Sequence, residues 1–187
     1  METTIKRIGI SGSHSCGKTT LLHKLSNELP NYYPTIEEIA SLFPRYARRY
    51  METQVAIMRA QIETEKRFPD MLITDRTVMD NLAYTLLCFS ESKMTQEDRM
   101  FMMLSRDRCM RHLATHPYDL VIFVDETIPI EDNDSRCLNP YYQTVIYSNL
   151  KNIVISMKDE FKNFDILYVK GTTSERIATI IKYLNTK

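Results

Sequence analysis

The octapeptide Gly12-Ser13-His14-Ser15-Cys16-Gly17-Lys18-Thr19 leaves this chain few folds to choose from. It spells G-x-x-x-x-G-K-T, the pattern of a phosphate-binding loop. Its flanks agree with it. Lys6-Arg7-Ile8-Gly9-Ile10-Ser11 reads as a buried strand, and Thr19-Thr20-Leu21-Leu22-His23-Lys24-Leu25 as the opening turns of a helix. A strand entering a tight turn and then a helix points successive backbone N–H groups, and the positive end of the helix dipole, at one spot. The residues from Gly12 to Thr20 are therefore expected to hold phosphate oxygens. Lys18 would reach the β- and γ-phosphates, and the Thr19 hydroxyl would ligate Mg²⁺. ATP with Mg²⁺ is the expected cofactor pair.

Beyond the loop, apolar runs of strand length alternate with longer helical patterns, which predicts an α/β fold with a parallel sheet covered by helices. The strands are expected at about 6–11, 33–37, 71–75, 119–125 and 165–169. Pro34 restricts the second to an edge or a strand start. Helices are expected from the loop to Leu29, stopped by Pro30, and then over 52–68, 77–89, 95–114, 140–161 and 173–185. The stretch Glu38 to Tyr46 is helical or irregular and broken at Pro44, giving five strands and about seven helices in a single domain. Val55, Met58, Ile62 and Glu65 mark one face of the 52–68 helix, and Thr95 with Asp98 fits a capping box.

Bulk properties narrow the partners. The 187 residues suit one domain with a sizeable core. A formal net charge of zero argues against a long nucleic-acid track, which would need a basic face. No apolar run reaches the about 20 residues of a membrane span. The strand predicted almost at the N-terminus leaves no room for a signal peptide. Cys16, Cys88, Cys109 and Cys137 form no C-x-x-C pair, so a reducing cytoplasm is the expected setting.

Ligands of open parallel sheets bind at the carboxyl ends of the strands, and chemistry-bearing residues gather at those ends here. Asp75 closes Met71-Leu72-Ile73-Thr74-Asp75, a Walker B-like place from which to hold Mg²⁺; it would equally cap the next helix. Arg76 follows and could grip a phosphate bidentately. Val124-Asp125-Glu126 is the rival, since an apolar run ending in Asp-Glu is the pattern of ATPase motors. A motor would need more chain for its sensor elements, so Asp125 is read as a strand end leading into a loop. Glu37 and Glu38 follow the second strand. Glu38 could take a proton from a substrate hydroxyl with Glu37 beside it, or both could favour a helix dipole. Arg45, Arg48 and Arg49 could bind an anionic acceptor or form a solvated basic face. Arg99, Arg106, Arg108 and Arg111 read mostly as a solvated helix face. The acidic stretch 126–139 looks like a lid, and Arg136 within it could close over the γ-phosphate. Gly171, after the last strand, would lie beside the adenine ring.

The run from Ile10 to Leu22 resembles the phosphate loop of the small kinase-like ATPases grouped around the ribosylnicotinamide-kinase domain of bacterial NAD regulators, close to thymidylate and deoxynucleoside kinases. Glu38-Ile39-Ala40 is similar to their E-x-A. Ile73-Thr74-Asp75-Arg76-Thr77, continuing to Asp80-Asn81-Leu82-Ala83-Tyr84, is similar to their Asp-Arg motif and its helix, and Asp132 to Arg136 to their lid. The resemblance implies a three-layer P-loop NTPase sandwich with a five-stranded parallel sheet in the order 2-3-1-4-5. It implies phosphoryl transfer from ATP to a small nucleoside or nucleotide. Lys18, Glu38, Asp75, Arg76 and Arg136 would be the catalytic groups, Thr19 and Asp75 the metal ligands, and Glu37, Arg45, Arg48 and Arg49 the acceptor site. Three alternatives stay open: an NTP hydrolase or switch of the same fold, a kinase acting on nucleic acid ends or modified bases, and a nucleotide-holding module without turnover. A homodimer stays open beside a monomer.

Overall fold

The computed structural model describes residues 5–29, 33–91, 95–126 and 140–187. Five strands, β1 (Arg7–Ser11), β2 (Thr35–Ile36), β3 (Leu72–Asp75), β4 (Leu120–Val124) and β5 (Asp165–Val169), form one sheet in the order β2-β3-β1-β4-β5. All four pairings are parallel. Among the described residues six α-helices cover it, against about seven expected: α1 (Lys18–Glu28), α2 (Met51–Glu65), α3 (Val78–Glu91), α4 (Gln96–Thr115), α5 (Pro140–Phe161) and α6 (Thr173–Leu184). Two short 3₁₀ turns, Ile39–Leu42 and Arg45–Arg49, stand either side of Pro44 and take the place of the seventh.

The central strands β1, β3 and β4 are buried on both faces, which is why β4 reads as a continuous apolar run. Alternate side chains serve different cores. Ile8, Ile10, Leu120 and Ile122 pack with Leu21, Leu22 and Leu25 of α1 and Ile180 and Leu184 of α6. Val121 and Phe123 point the other way, into Val78, Leu82, Leu113, Ile146 and Leu150 of α3, α4 and α5. Gly9 sits on that second side, where a Cβ would come within 2.4 Å of Thr77 Cγ2. A glycine there lets the start of α3 lie against β1.

β2 is shorter than expected, two residues on the sheet edge, with the Pro34 carbonyl accepting from Ile73 N at 2.9 Å. The buried face of α2 also departs from expectation. It consists of Met51, Gln54, Ile57, Met58, Gln61 and Glu65, while Val55 and Ile62 are only half-buried. Met58 and Glu65 are buried as expected, while Gln54 and Gln61 take the places expected of Val55 and Ile62, because this face looks onto the carboxyl end of β3 and a buried arginine, Arg7. The Thr95–Asp98 capping box of α4 is present as expected. Parallel strands put every carboxyl end on one edge, and there β1 runs into the phosphate loop and β3 into Asp75 and Arg76.

Candidate active site

The loop between β1 and α1 needs unusual backbone. Ser15 and Gly17 are left-handed, with φ of 62° and 85°. At Gly17 a Cβ would also lie 3.3 Å from Arg176 Nη1. Lys18 is buried and its ammonium spans the loop, donating to the carbonyls of Gly12 at 3.0 Å and Ser13 at 2.6 Å, with Cys16 Sγ 3.6 Å away. Side chains from distant elements brace the loop from outside. Gln143 of α5 donates to the His14 carbonyl at 3.1 Å, and Arg176 of α6 to the Cys16 carbonyl at 2.6 Å. Arg176 also binds Glu126 Oε2 at 3.1 Å, the atom that accepts from Gly171 N at 2.8 Å. The turn after β5 is thereby tied to the back of the phosphate loop.

Asp75 is wholly buried at the end of β3, and Thr19 Oγ1 donates to its Oδ2 at 2.5 Å. Among the described residues its Oδ1 has no hydrogen-bond partner. Capping of α3 falls to another pair. Thr77 Oγ1 accepts from Asp80 N at 3.3 Å, and Asp80 Oδ2 accepts from Thr77 N at 3.0 Å. Asp75 is therefore free to serve a cation. A hydroxyl and an orphaned carboxylate oxygen side by side fit Mg²⁺, which takes few protein ligands and completes its shell with phosphate and water. Among the described residues no group of three or more His, Cys, Asp or Glu side chains converges as a metal cage.

Arg76 is the strained element. Its φ of 81° is left-handed, costing a residue with a Cβ about 1–2 kcal/mol. Three backbone contacts hold it: Arg76 N donates to the Ile10 carbonyl at 2.9 Å, and its own carbonyl accepts from Thr74 Oγ1 at 2.9 Å and Gln61 Nε2 at 3.3 Å. The conformation brings the guanidinium among Glu38, Tyr84 and Asp80 at the cavity wall. Nε donates to Glu38 Oε1 at 2.7 Å, the plane lies 4.9 Å from the Tyr84 ring, and Nη1 is 3.8 Å from Asp80. The Arg76 charge, opposed by burial and aided by Lys18 and Arg48, holds the Glu38 carboxyl down at about 2. Glu38 is thus ionised at neutral pH. Asp80 ties both motifs together, since its carboxylate also accepts from Ser11 Oγ at 2.9 Å and Gly12 N at 3.4 Å.

Beside the loop lies a cavity of about 430 Å³. Its wall brings together Lys18, Thr19, Thr20, Glu38, Arg76 and all three of Arg45, Arg48 and Arg49. Glu37 is not among them; its carboxylate is exposed, 3.7 Å from His23 of α1. Both glutamates follow β2, and of the two only Glu38 lines the cavity. Arg136 and the lid stretch after Glu126 lie outside the described residues. Asp125 accepts from Lys151 at 2.8 Å and from the Tyr147 hydroxyl, which turns it toward α5.

Several wall and bracing residues escaped the sequence reading. Gln54, Asn81 and Tyr84 line the cavity, and Gln61, Asp80 and Arg176 hold its frame. Asp80 and Tyr84 fall within the stretch resembling an Asp-Arg motif and its helix, so a signal existed for them. Arg176 reads as a surface residue of the last helix, and nothing in its neighbours predicts burial.

Comparison with known proteins agrees with this geometry. Residues 7–176 match the family model described as AAA domain. No curated protein sequence matches the chain. Among solved structures it is similar to deoxyadenosine kinase from M. mycoides with bound dCTP, at a TM-score of 0.72 and 16% identity over 96% of this chain and 99% of that one. It is similar to thymidylate kinase from Candida albicans, at 0.66 and 18% over 100% and 93%. NadR in complex with NR aligns at 0.68 and 18% over 98% of this chain and 52% of the other. These are the kinds of protein the motifs resemble, and at such identities they show the fold. From strand order, phosphate loop and family model together, the chain belongs to the AAA domain family of P-loop proteins.

Proposed function

We propose that this protein transfers the γ-phosphoryl group of ATP, with Mg²⁺, to a small nucleoside or nucleotide seated in the cavity beside the phosphate loop. The observation that carries this is a set of unpartnered polar atoms on the cavity wall. Among the described residues Arg76 Nη1, Asn81 Nδ2 and the Tyr84 hydroxyl have no hydrogen-bond partner, Arg76 Nη1 lying 3.8 Å from Asp80. Buried donors left unpaired are costly, so they await oxygen atoms of a second substrate. A hydrolase needs only room for water there. Kinases of the same fold that act on nucleosides and nucleotides support the same reading.

The chain's residues divide the work as follows. Lys18 and the loop N–H groups hold the β- and γ-phosphates, with Lys18 exchanging its two loop carbonyls for phosphate oxygens. Thr19 and Asp75 would hold Mg²⁺, which supplies charge neutralisation at the transferring phosphoryl group. Glu38 accepts a hydrogen bond from the acceptor hydroxyl and fixes its line of attack. Held so acidic, it takes the proton only as the new oxygen–phosphorus bond forms and the bond to ADP breaks. Arg76 faces the phosphoryl oxygens, and Arg45, Arg48 and Arg49 make the cavity favourable to an anionic acceptor such as a nucleoside monophosphate. Arg136 would close from the lid. The catalysis is mostly positioning and charge stabilisation.

The test is turnover of ATP with and without a panel of nucleosides and nucleoside monophosphates. Acceptor-dependent formation of a phosphorylated product, lost in Lys18→Ala, is expected. ATP hydrolysis at the same rate with every acceptor and with none would overturn the reading in favour of a hydrolase.

A further inference from the structure

Away from the phosphate loop, a second cavity of about 400 Å³ opens between α2 and α4, sharing no wall residue with the first. The carboxyl ends of these helices lead into β3 and β4, so the cavity lies toward the amino edge of the sheet. Its cations come from both sides: Arg59 of α2 and Lys66 just past its end, Arg108 and Arg111 of α4. Lys66 is 3.7 Å from Glu63, and Arg111 pairs with Asp107. Arg59 and Arg108 make no ion pair among the described residues.

The cavity also has a built interior, which a solvated helix face lacks. His112 lines it while being only 3% exposed. Its Nε2 is 2.8 Å from Glu65 Oε2, and Glu65 is itself fixed by Arg7 at 3.3 Å, Tyr118 at 2.7 Å and Gln61 at 2.8 Å. The imidazole is therefore held in place, and among the described residues its Nδ1 has no hydrogen-bond partner. Ile62 and Ala114 add an apolar wall. Two guanidinium groups without ion pairs on facing helices, beside a wall held rigid by the Glu65 network, form a site in search of an anion. Guanidinium favours phosphate because its planar fork meets two oxygens at once. A cavity of this size accepts a small molecule rather than a bare ion alone.

We infer that the α2–α4 cavity is a second binding site, for a phosphate-bearing small molecule, separate from the nucleotide site at the loop. The test uses inorganic pyrophosphate as the probe and Lys18→Ala as the background, so that the phosphate loop is silenced. Calorimetric titration, with the His112 ring signals followed by NMR, reads the binding. Saturable one-to-one binding that moves the His112 signals is expected, weakened about tenfold or more by Arg59→Ala/Arg108→Ala. Both arginines are at least partly exposed, so the double variant should melt like its parent. No saturable binding in the Lys18→Ala protein, or binding untouched by the double substitution, would overturn the inference. Neither result bears on acceptor turnover, which is measured separately.

Discussion

Glu38→Gln isolates one charge. The amide oxygen can still accept from Arg76 Nε, now 2.7 Å from Glu38 Oε1, so the shape of the contact survives while its charge does not. What remains is a guanidinium with a side chain 7% exposed, facing Asp80 at 3.8 Å. A carboxyl held at about 2 instead of its ordinary 4.5 corresponds to about 3 kcal/mol of differential interaction. The Glu38 side chain is 30% exposed, and solvent screening on that side brings the expected loss to about 2 kcal/mol. The sign follows from the direction of the shift. The folded pKa is depressed, so the stabilisation is complete above about 4.5 and is lost as pH falls toward about 2. Urea unfolding of both proteins across a pH series reads this directly. The stability gap should be full at pH 7, begin to close below pH 4.5 and vanish near pH 2. A gap under about 0.5 kcal/mol at pH 7, or one that stays constant on acidification, would refute the charge argument.

Gln61→Leu removes the donor shared by Glu65, Thr74 and the Arg76 carbonyl, leaving a buried carboxylate short of a partner; thermal unfolding should show a loss of about 2–3 kcal/mol, and an unchanged melting temperature would contradict it. Gly17→Ala places a Cβ at φ 85° and 3.3 Å from Arg176 Nη1, so a cost of about 1–2 kcal/mol with weakened ATP binding is expected in calorimetry. Arg176→Lys keeps the charge but cannot span the Cys16 carbonyl and Glu126 together; the dissociation constant for ATP should rise severalfold while the fold melts cooperatively, and wild-type affinity would show that the brace is dispensable.

The parts of this molecule that could be read in advance are those whose chemistry demands a local pattern. The phosphate loop needs a glycine at its left-handed turn into α1, a lysine and a hydroxyl at fixed offsets, and a largely apolar strand ahead of them. Each requirement is met within a few residues, so the loop declares itself. The sheet was legible for a similar reason: strands buried on both faces must be apolar throughout, and Leu120–Val124 is. Asp75 and Arg76 could be placed because a strand end is a position that sequence marks. What the chain does not mark locally is which side of a helix faces a polar interior. On α2 Val55, Met58, Ile62 and Glu65 suggested a face; Met58 and Glu65 are buried, yet Gln54 and Gln61 are buried where Val55 and Ile62 were expected, because the Arg48 and Arg76 carbonyls and Thr74 wait on that side. A polar residue stable in the interior depends on partners many residues away, and no periodicity encodes them. Arg176, 160 positions from the Cys16 carbonyl it grips, is the same case.

Arg76 joins the two kinds of information in one residue. Its position after β3 is local and could be read, while its left-handed backbone is neither glycine-like nor foreshadowed. Strain of that kind persists only where surrounding contacts over-determine it. Here Ile10, Thr74 and Gln61 grip the backbone, and Glu38, Asp80 and Tyr84 receive the side chain. A relaxed backbone would carry the guanidinium away from the phosphate loop. The buried polar network on α2 thus helps to hold the Arg76 guanidinium beside Glu38, Asp80 and Tyr84 at the cavity wall. On the proposed reading, that is where a transferring phosphoryl group would meet it.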